Sequence, residues 1–443
     1  MKTWLKTIAL GLSLALLMTA CSSIAKGVRA GIKSVTAITE VFGDGQKVTA
    51  VAIEYGTIIA AGTLSAADYS VMDQTIVKVY TNTNAAKAEN GTSGNYVILE
   101  LAVEDTADLR SGAAEVNGQG SPQGGPSGQR PDFVPGEGGS NRGPGGGPGL
   151  GSAGDNAPPS NHLTVSVTQN KDIAAKNGQR IAGTKNSIES NRTINLVVDD
   201  FQQLVFKELM YNLFVPKNYD PAKAYPLVLF MVDAGGVGTD PVKTLTQGLG
   251  AVIWATPEEQ AKHECFVLAP QYTRVMADDN SETTEDMDIT IDLIRDLITR
   301  YNIDANRIYN TGQSMGCMTS IAMNIKYPQM FAASFLVAGQ WDAAKVAPMA
   351  GKPLWIVVSE GDTKANPGMD AITEVLKAKG DTVSKATWNS RVTATEFDTY
   401  VADMLAKRAG INYTVFEGGS HTYTWKVAYT IEGIRDWLFR QQR

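Results

Sequence analysis

The sequence predicts two domains: a small β-sandwich, then an α/β domain built on a mostly parallel sheet with helices on both faces. Three observations predict this. Residues 28–169 contain short runs rich in β-branched and aromatic residues that alternate apolar and polar, the pattern of half-buried strands. From about Ile194, nearly continuous apolar runs alternate with segments of helical spacing, as in strands buried on both faces. Between these patterns, residues 111–160 hold 16 Gly and 8 Pro, a composition that favours neither helix nor strand. The expected organisation is a leader at 1–20, a tether at 21–27, a sandwich at 28–190 with a disordered insert at 106–160, and the α/β domain at 191–443.

The leader opens with Lys2 and Lys6, followed by an apolar run from Ile8 to Met18. That run is too short for a stable membrane span and fits the core of a secretory signal. It ends Leu17-Met18-Thr19-Ala20-Cys21, which resembles a bacterial lipobox with Met18 where Leu is usual. The resemblance implies cleavage after Ala20 and lipidation of Cys21. The mature chain would then be held at the cell envelope, or outside the cell, by lipid alone. An ordinary signal with an incidental Cys is the alternative. No later stretch approaches 18 apolar residues.

In the sandwich region, Thr75–Tyr80 and Tyr96–Leu101 read as strands. Val51, Ile53 and Tyr55 alternate after a turn expected at Asp44-Gly45, and Leu163, Val165 and Val167 alternate further on. The bland account of the insert is a tolerated loop between two strands. In the second region, strands are expected at Ile194–Val198, Leu213–Val215, Pro226–Val232, Cys265–Pro270, Arg307–Asn310, Pro353–Val358 and Tyr413–Phe416. Helices are expected at 286–301, through Ile321 to Tyr327, at Phe397–Ala409 and at Thr424–Phe439.

Composition narrows the chemistry. Hydrophobic residues make up 43% of the 443 positions and charged residues 19%, so a wholly disordered chain is excluded. The net charge of −7 offers no basic field for nucleic acid. Three Cys cannot build a disulfide framework or a Cys-rich zinc module, and three His leave few candidate bases.

Gly312-Gln313-Ser314-Met315-Gly316 follows an expected strand and opens an expected helix. A G-x-S-x-G there is a nucleophile elbow, whose glycines permit a strained turn that raises the Ser314 hydroxyl above a sheet. A plain strand-to-helix turn is the alternative. A serine nucleophile needs a base. His162 borders the insert and His263 precedes a strand; both read as structural. His421, in Glu417-Gly418-Gly419-Ser420-His421, lies between the last strand and the last helix. Asp362 leaves the strand 353–358 and would accept the other imidazole N–H, with Glu360 and Asp342 as rivals. The developing oxyanion needs two backbone N–H groups. Met315 supplies one, and the loop after 226–232 the other, from Ala234 or Gly235. That loop is not a phosphate cradle, since no Gly-Lys-Ser/Thr follows.

Three segments carry a resemblance: Tyr211–Tyr219, Tyr225–Phe230, and Tyr301–Tyr309 leading into Gly312–Gly316. The chain resembles secreted bacterial α/β-hydrolase esterases, the polyhydroxybutyrate depolymerase-like, feruloyl-esterase-like and prolyl-oligopeptidase-type group, some with an N-terminal immunoglobulin-like domain. The resemblance covers about Ile194 to Phe439, and the β domain more weakly. It implies an α/β-hydrolase fold and hydrolysis of carboxylic esters, whether small or polymeric, through an acyl-enzyme. The chain departs from the group's His-Gly-x-Gly oxyanion loop, with Val232 and Asp233 at the first two positions. A carboxylate near a developing oxyanion lowers the rate unless it is paired or turned away.

The chemistry calls for no metal or organic cofactor. The expected partners are an ester substrate and, through the lipid only, a membrane; nucleic acid is not one, and the oligomeric state stays open. A peptidase on the same residues is an alternative, as is a catalytically dead surface-binding protein. The acidic run Asp278, Asp279, Glu282, Glu285, Asp286 and Asp288 reads as a solvated helix start. Trp341 reads as pocket or core. Cys265 and Cys317 are expected at opposite ends of neighbouring strands, unbonded.

Overall fold

The first domain starts from a long hairpin of β1 (Ile32–Phe42) and β2 (Gly45–Ile59). In this computed structural model, which describes residues 31–103, 149–153 and 163–443, the hairpin turn falls at Gly43-Asp44, one residue before the expected position. The domain continues with β3 (Tyr69–Val71), β4 (Ile76–Asn82), β5 (Gly94–Leu101), β6 (Ser166–Gln169), β7 (Ile173–Ala174), β8 (Arg180–Ile181), β9 (Ile188–Glu189) and β10 (Arg192–Asn195). A sheet ordered β10-β1-β2-β5-β4 faces a smaller one ordered β3-β6-β9, while β7 pairs with β8. Val35, Val51, Ile53 and Leu99 from the first sheet share a core with Tyr69, Val71 and Val167 from the second. Burial of these alternate positions closes the sandwich. At its centre the Tyr55 hydroxyl donates to Gln169 at 2.8 Å, so a deeply buried phenol keeps a partner.

The strand expected over Ile194–Val198 as the start of the second domain is a correction. It runs Arg192–Asn195 and pairs parallel with β1, inside the sandwich. Ile194 packs there against Ile38, Ala50 and Ile98, and that burial decides its sheet. Residues 149–153, expected within the disordered insert, form a turn whose backbone pairs with Val275, and Ala153 bridges to Arg274. The leader, Cys21, His162 and the rest of the insert lie outside the described residues.

The second domain is a nine-stranded sheet of β11 (Gln202–Phe206), β12 (Leu209–Phe214), β13 (Tyr225–Met231), β14 (Phe266–Gln271), β15 (Ile303–Gln313), β16 (Ala333–Val337), β17 (Leu354–Ser359), β18 (Val383–Trp388) and β19 (Ile411–Phe416). The order is β11-β12-β14-β13-β15-β16-β17-β19-β18. β12 is antiparallel to both its neighbours; the other pairs are parallel. The helices are α1 (Lys243–Thr246), α2 (Leu249–Val252), α3 (Pro257–Lys262), α4 (Asp286–Arg300), α5 (Met315–Lys326), α6 (Ala365–Ala378), α7 (Ala394–Ala406), α8 (His421–Ala428) and α9 (Glu432–Phe439). Every residue of β13, β14, β16, β17 and β19 is buried, so both faces of the sheet are covered. Parallel strands deliver their C-terminal ends to one edge, where loops from different strands converge.

The domains touch near that edge. Gly43 of the sandwich hairpin lies against the backbone of Lys426 in α8, and Gly45 near the carbonyl of Thr246 in α1. No helix among the described residues is long and apolar enough to cross a membrane.

Candidate active site

Ser314 sits between β15 and α5 with φ 52° and ψ −117°. A non-glycine residue held in such a region costs roughly 1–3 kcal/mol and persists only where its surroundings over-determine it. Here they do. A side-chain carbon at Gly316 would lie 2.0 Å from the Met231 carbonyl oxygen, and one at Gly312 would lie 2.8 Å from the same atom. Two bare glycines let the elbow press onto β13. The Ser314 N–H donates to the Val337 carbonyl at 3.0 Å and ties the turn to β16. The side chain is thereby lifted off the sheet edge.

Asp362 leaves β17 and is 4% exposed. His421 opens α8, after β19. Its Nδ1 lies 2.5 Å from Asp362 Oδ2, and its Nε2 lies 2.8 Å from Ser314 Oγ. With the proton on Nδ1 donated to the carboxylate, Nε2 is left to accept from the serine hydroxyl. Trp425, one turn along α8, meets the imidazole edge-on with centroids 5.1 Å apart and steadies the ring. Burial pushes the Asp362 carboxyl pKa up. The hydrogen bond with His421 and those from the N–H groups of Ala365 and Lys364 outweigh it, so the net direction is down and the carboxylate stays ionised.

The rivals are engaged elsewhere. Glu360 accepts from the Gly418 N–H at 2.9 Å, and Asp342 accepts from the Ala344 N–H at 2.9 Å. His263 meets Asp436 at 2.7 Å and stacks on Phe439 with centroids 4.4 Å apart, a structural assignment. Cys265 and Cys317 are free and buried, and burial pushes both thiols well above their ordinary pKa.

Ala234 and Met315 each hold the first position of a helical segment, a 3-10 turn over Ala234–Gly236 and α5. An N–H at that position has no acceptor within its own helix. Both residues line one cavity of about 570 Å³ with Ser314 and His421. Gly235 spends its N–H on the Asp233 carboxylate at 2.7 Å. The other Asp233 oxygen accepts from the Gln313 side-chain amide at 2.9 Å. The charge that set the loop apart is therefore paired with two donors.

The acidic run divides: Glu285 stands at the N-cap of α4 and Asp286 and Asp288 in its first turn, as expected, whereas Asp278 and Asp279 lie in the loop before it. α4 begins only at Asp286. Asp278 is 9% exposed and accepts from the N–H groups of Asn280 and Glu282. Asp279 accepts from Lys364 at 2.7 Å and from Gln340 at 2.8 Å. Both aspartates line the cavity together with the apolar side chains of Val275, Ala277, Met315 and Met318. The signal that could have found them is their place in the loop that follows the parallel strand β14, on the edge where such sites form. Gln313 and Gln340 carried no local signal. Trp341 is 8% exposed, belongs to the core and also borders a neighbouring cavity. Among the described residues no group of three or more His, Cys, Asp or Glu could hold a metal ion.

The fold and this geometry together define an α/β-hydrolase preceded by an immunoglobulin-like domain. Comparison with known proteins makes it more particular: residues 34–182 match the family model described as the esterase Ig-like N-terminal domain. A solved thermostable esterase is 29% identical, covers 93% of this chain and all of its own, and superposes with a TM-score of 0.70. A feruloyl esterase module from Clostridium thermocellum (14% identity, 54% of this chain and 87% of its own, TM-score 0.38) is a likeness too loose to argue from. So is an esterase from Thermogutta terrifontis (14%, 55% and 95%, 0.38). No curated protein matches in sequence.

Proposed function

We propose that this protein is a serine carboxylesterase. The observation that carries the reading is the unbroken chain of hydrogen bonds from Asp362 through His421 to Ser314, opening into a cavity lined by two helix-start residues whose N–H groups have no acceptor within their own helical segments. Likeness over nearly the whole chain to a thermostable esterase supports it.

The chemistry follows from the atoms. Ser314 Oγ attacks the ester carbonyl carbon while His421 Nε2 takes its proton. Asp362 holds the Nδ1–H and stabilises the imidazolium that forms. The carbonyl oxygen, now negative, is held by the N–H groups of Ala234 and Met315. Collapse breaks the bond to the alkoxide, which leaves as the alcohol with the proton from His421. Water, deprotonated by the same nitrogen, then attacks the acyl-enzyme. The carboxylic acid departs and Ser314 regains its proton. Attachment to the cell envelope through lipidated Cys21 belongs to the same proposal and rests on the Lys2–Cys21 pattern.

Turnover of p-nitrophenyl butyrate and labelling by a fluorophosphonate probe test the reading. Ser314→Ala is expected to lose the label and to slow turnover roughly 10⁴-fold or more. Equal rates in both proteins would overturn it. Metabolic labelling with palmitate, compared with Cys21→Ser, tests the anchor.

A further inference from the structure

The cavity at Ser314 does not end the groove. A second cavity of about 490 Å³ adjoins it, and the two share Asp279, Met318, Gln340 and Lys364 in their linings. Three loops from three strands meet at this partition. Asp279 follows β14, Gln340 follows β16 and Lys364 follows β17. Lys364 Nζ donates to Asp279 Oδ2 at 2.7 Å, and the Gln340 amide donates to Oδ1 at 2.8 Å. Gly368 in α6 leaves room for Gln340, since a side-chain carbon there would lie 2.5 Å from Gln340 Cβ. The surface continuous through both cavities is apolar at Met318, and the far cavity adds Trp341.

We propose that the Asp279–Lys364–Gln340 bridge selects ester length, closing the pocket to the chain that lies along Met318 and confining the enzyme to short-chain esters. The proposal rests on the esterase reading above. A longer chain must either break both charge-assisted hydrogen bonds to Asp279 or lay its methylenes against the half-exposed ion pair and strip it of water, and the methylenes return no hydrogen bond in either case. With the bridge removed, the same methylenes would meet Met318 and the exposed edge of Trp341, with Asn280, Ser281 and Asp342 on the rest of the far cavity's wall. Each methylene accommodated in an apolar pocket is then worth about tenfold or more in kcat/KM. The paired side chains are 41% and 48% exposed, so the pair adds little stability and its variants fold.

The test compares the full native chain with Asp279→Ala and with Lys364→Met. Two substrate series are used: p-nitrophenyl acetate, butyrate and octanoate, and methyl, butyl and octyl acetate. The expected result is a rise of at least about tenfold in the long-to-short ratio of kcat/KM, in both variants and in at least one series. Ratios within about twofold of native in both series, or a fall, would overturn the proposal. Native turnover of p-nitrophenyl acetate that vanishes in Ser314→Ala reports separately on the esterase reading. Absence of that turnover overturns both.

Discussion

The side-chain amide of Gln313 donates to Oδ2 of Asp233 across 2.9 Å, joining the residue before the nucleophile to the residue before Ala234. This side-chain bond adds to the β13–β15 pairing in holding the two N–H groups proposed for the oxyanion relative to each other. The same bond, with the Gly235 N–H on Oδ1, engages the carboxylate that would otherwise oppose a developing negative charge.

Breaking this link is expected to act on the transition state. Gln313→Ala should lower kcat about 10- to 100-fold with little change in KM, because contacts to the oxyanion form only as the tetrahedral species forms. Gln313→Glu, which sets like charges together, should lower it further. Initial-rate kinetics on p-nitrophenyl butyrate, with circular dichroism to show retained folding, check this. A change in KM alone would point to substrate binding instead.

The pH dependence of stability follows from Asp362. Its carboxyl pKa lies below the ordinary value of 3.8 in the folded chain. A group with a depressed folded pKa contributes stability that is complete above its unfolded value and is lost as pH falls through its folded value. The contribution of the Asp362 carboxylate to the Tm difference between native protein and Asp362→Asn should therefore be complete at about pH 5 and shrink below about pH 4. Thermal melts across that range measure it. A difference that grows as pH falls below about 4 would contradict the assignment.

A second ionic contact holds α9 in place. Arg435 Nε donates to Glu259 Oε2 at 2.7 Å, with the two side chains 8% and 2% exposed, and Nη1 donates to the Tyr429 carbonyl at 2.6 Å. Glu259→Ala leaves a buried guanidinium without its counter-charge and should cost about 3–5 kcal/mol in urea unfolding. Glu259→Met combined with Arg435→Met should cost much less, since both charges leave together.

Cys265 and Cys317 should resist thiol reagents while the chain is folded. Both are fully buried, and burial raises both thiols far above their ordinary pKa, so little thiolate is present to react. Peptide mass mapping after iodoacetamide treatment should find neither modified in native protein and both modified in guanidinium.

Much of this architecture is written in local pattern. The apolar runs of β13 and β14, the helical spacing of α4 and the glycines around Ser314 each report on the chain within about a dozen residues. They predict the elements, the elbow and the order of serine, acid and histidine. Asp362 was separable from Glu360 only by side-chain direction at the end of β17, which depends on where β19 and its loop lie. Arg192–Asn195 reads as a strand in any sheet, and only burial of Ile194 beside β1 assigns it to the sandwich.

By itself, then, the sequence determined the two fold types and the strained bend at Ser314, because periodicity and glycine placement act between near neighbours. The tertiary structure alone decided which groups face each other across the loops: Gln313 with Asp233, Asp279 with Lys364, and the sandwich hairpin with α8. Those partners are far apart in sequence. They meet because parallel strands end at a common edge, and nothing within either segment encodes that meeting.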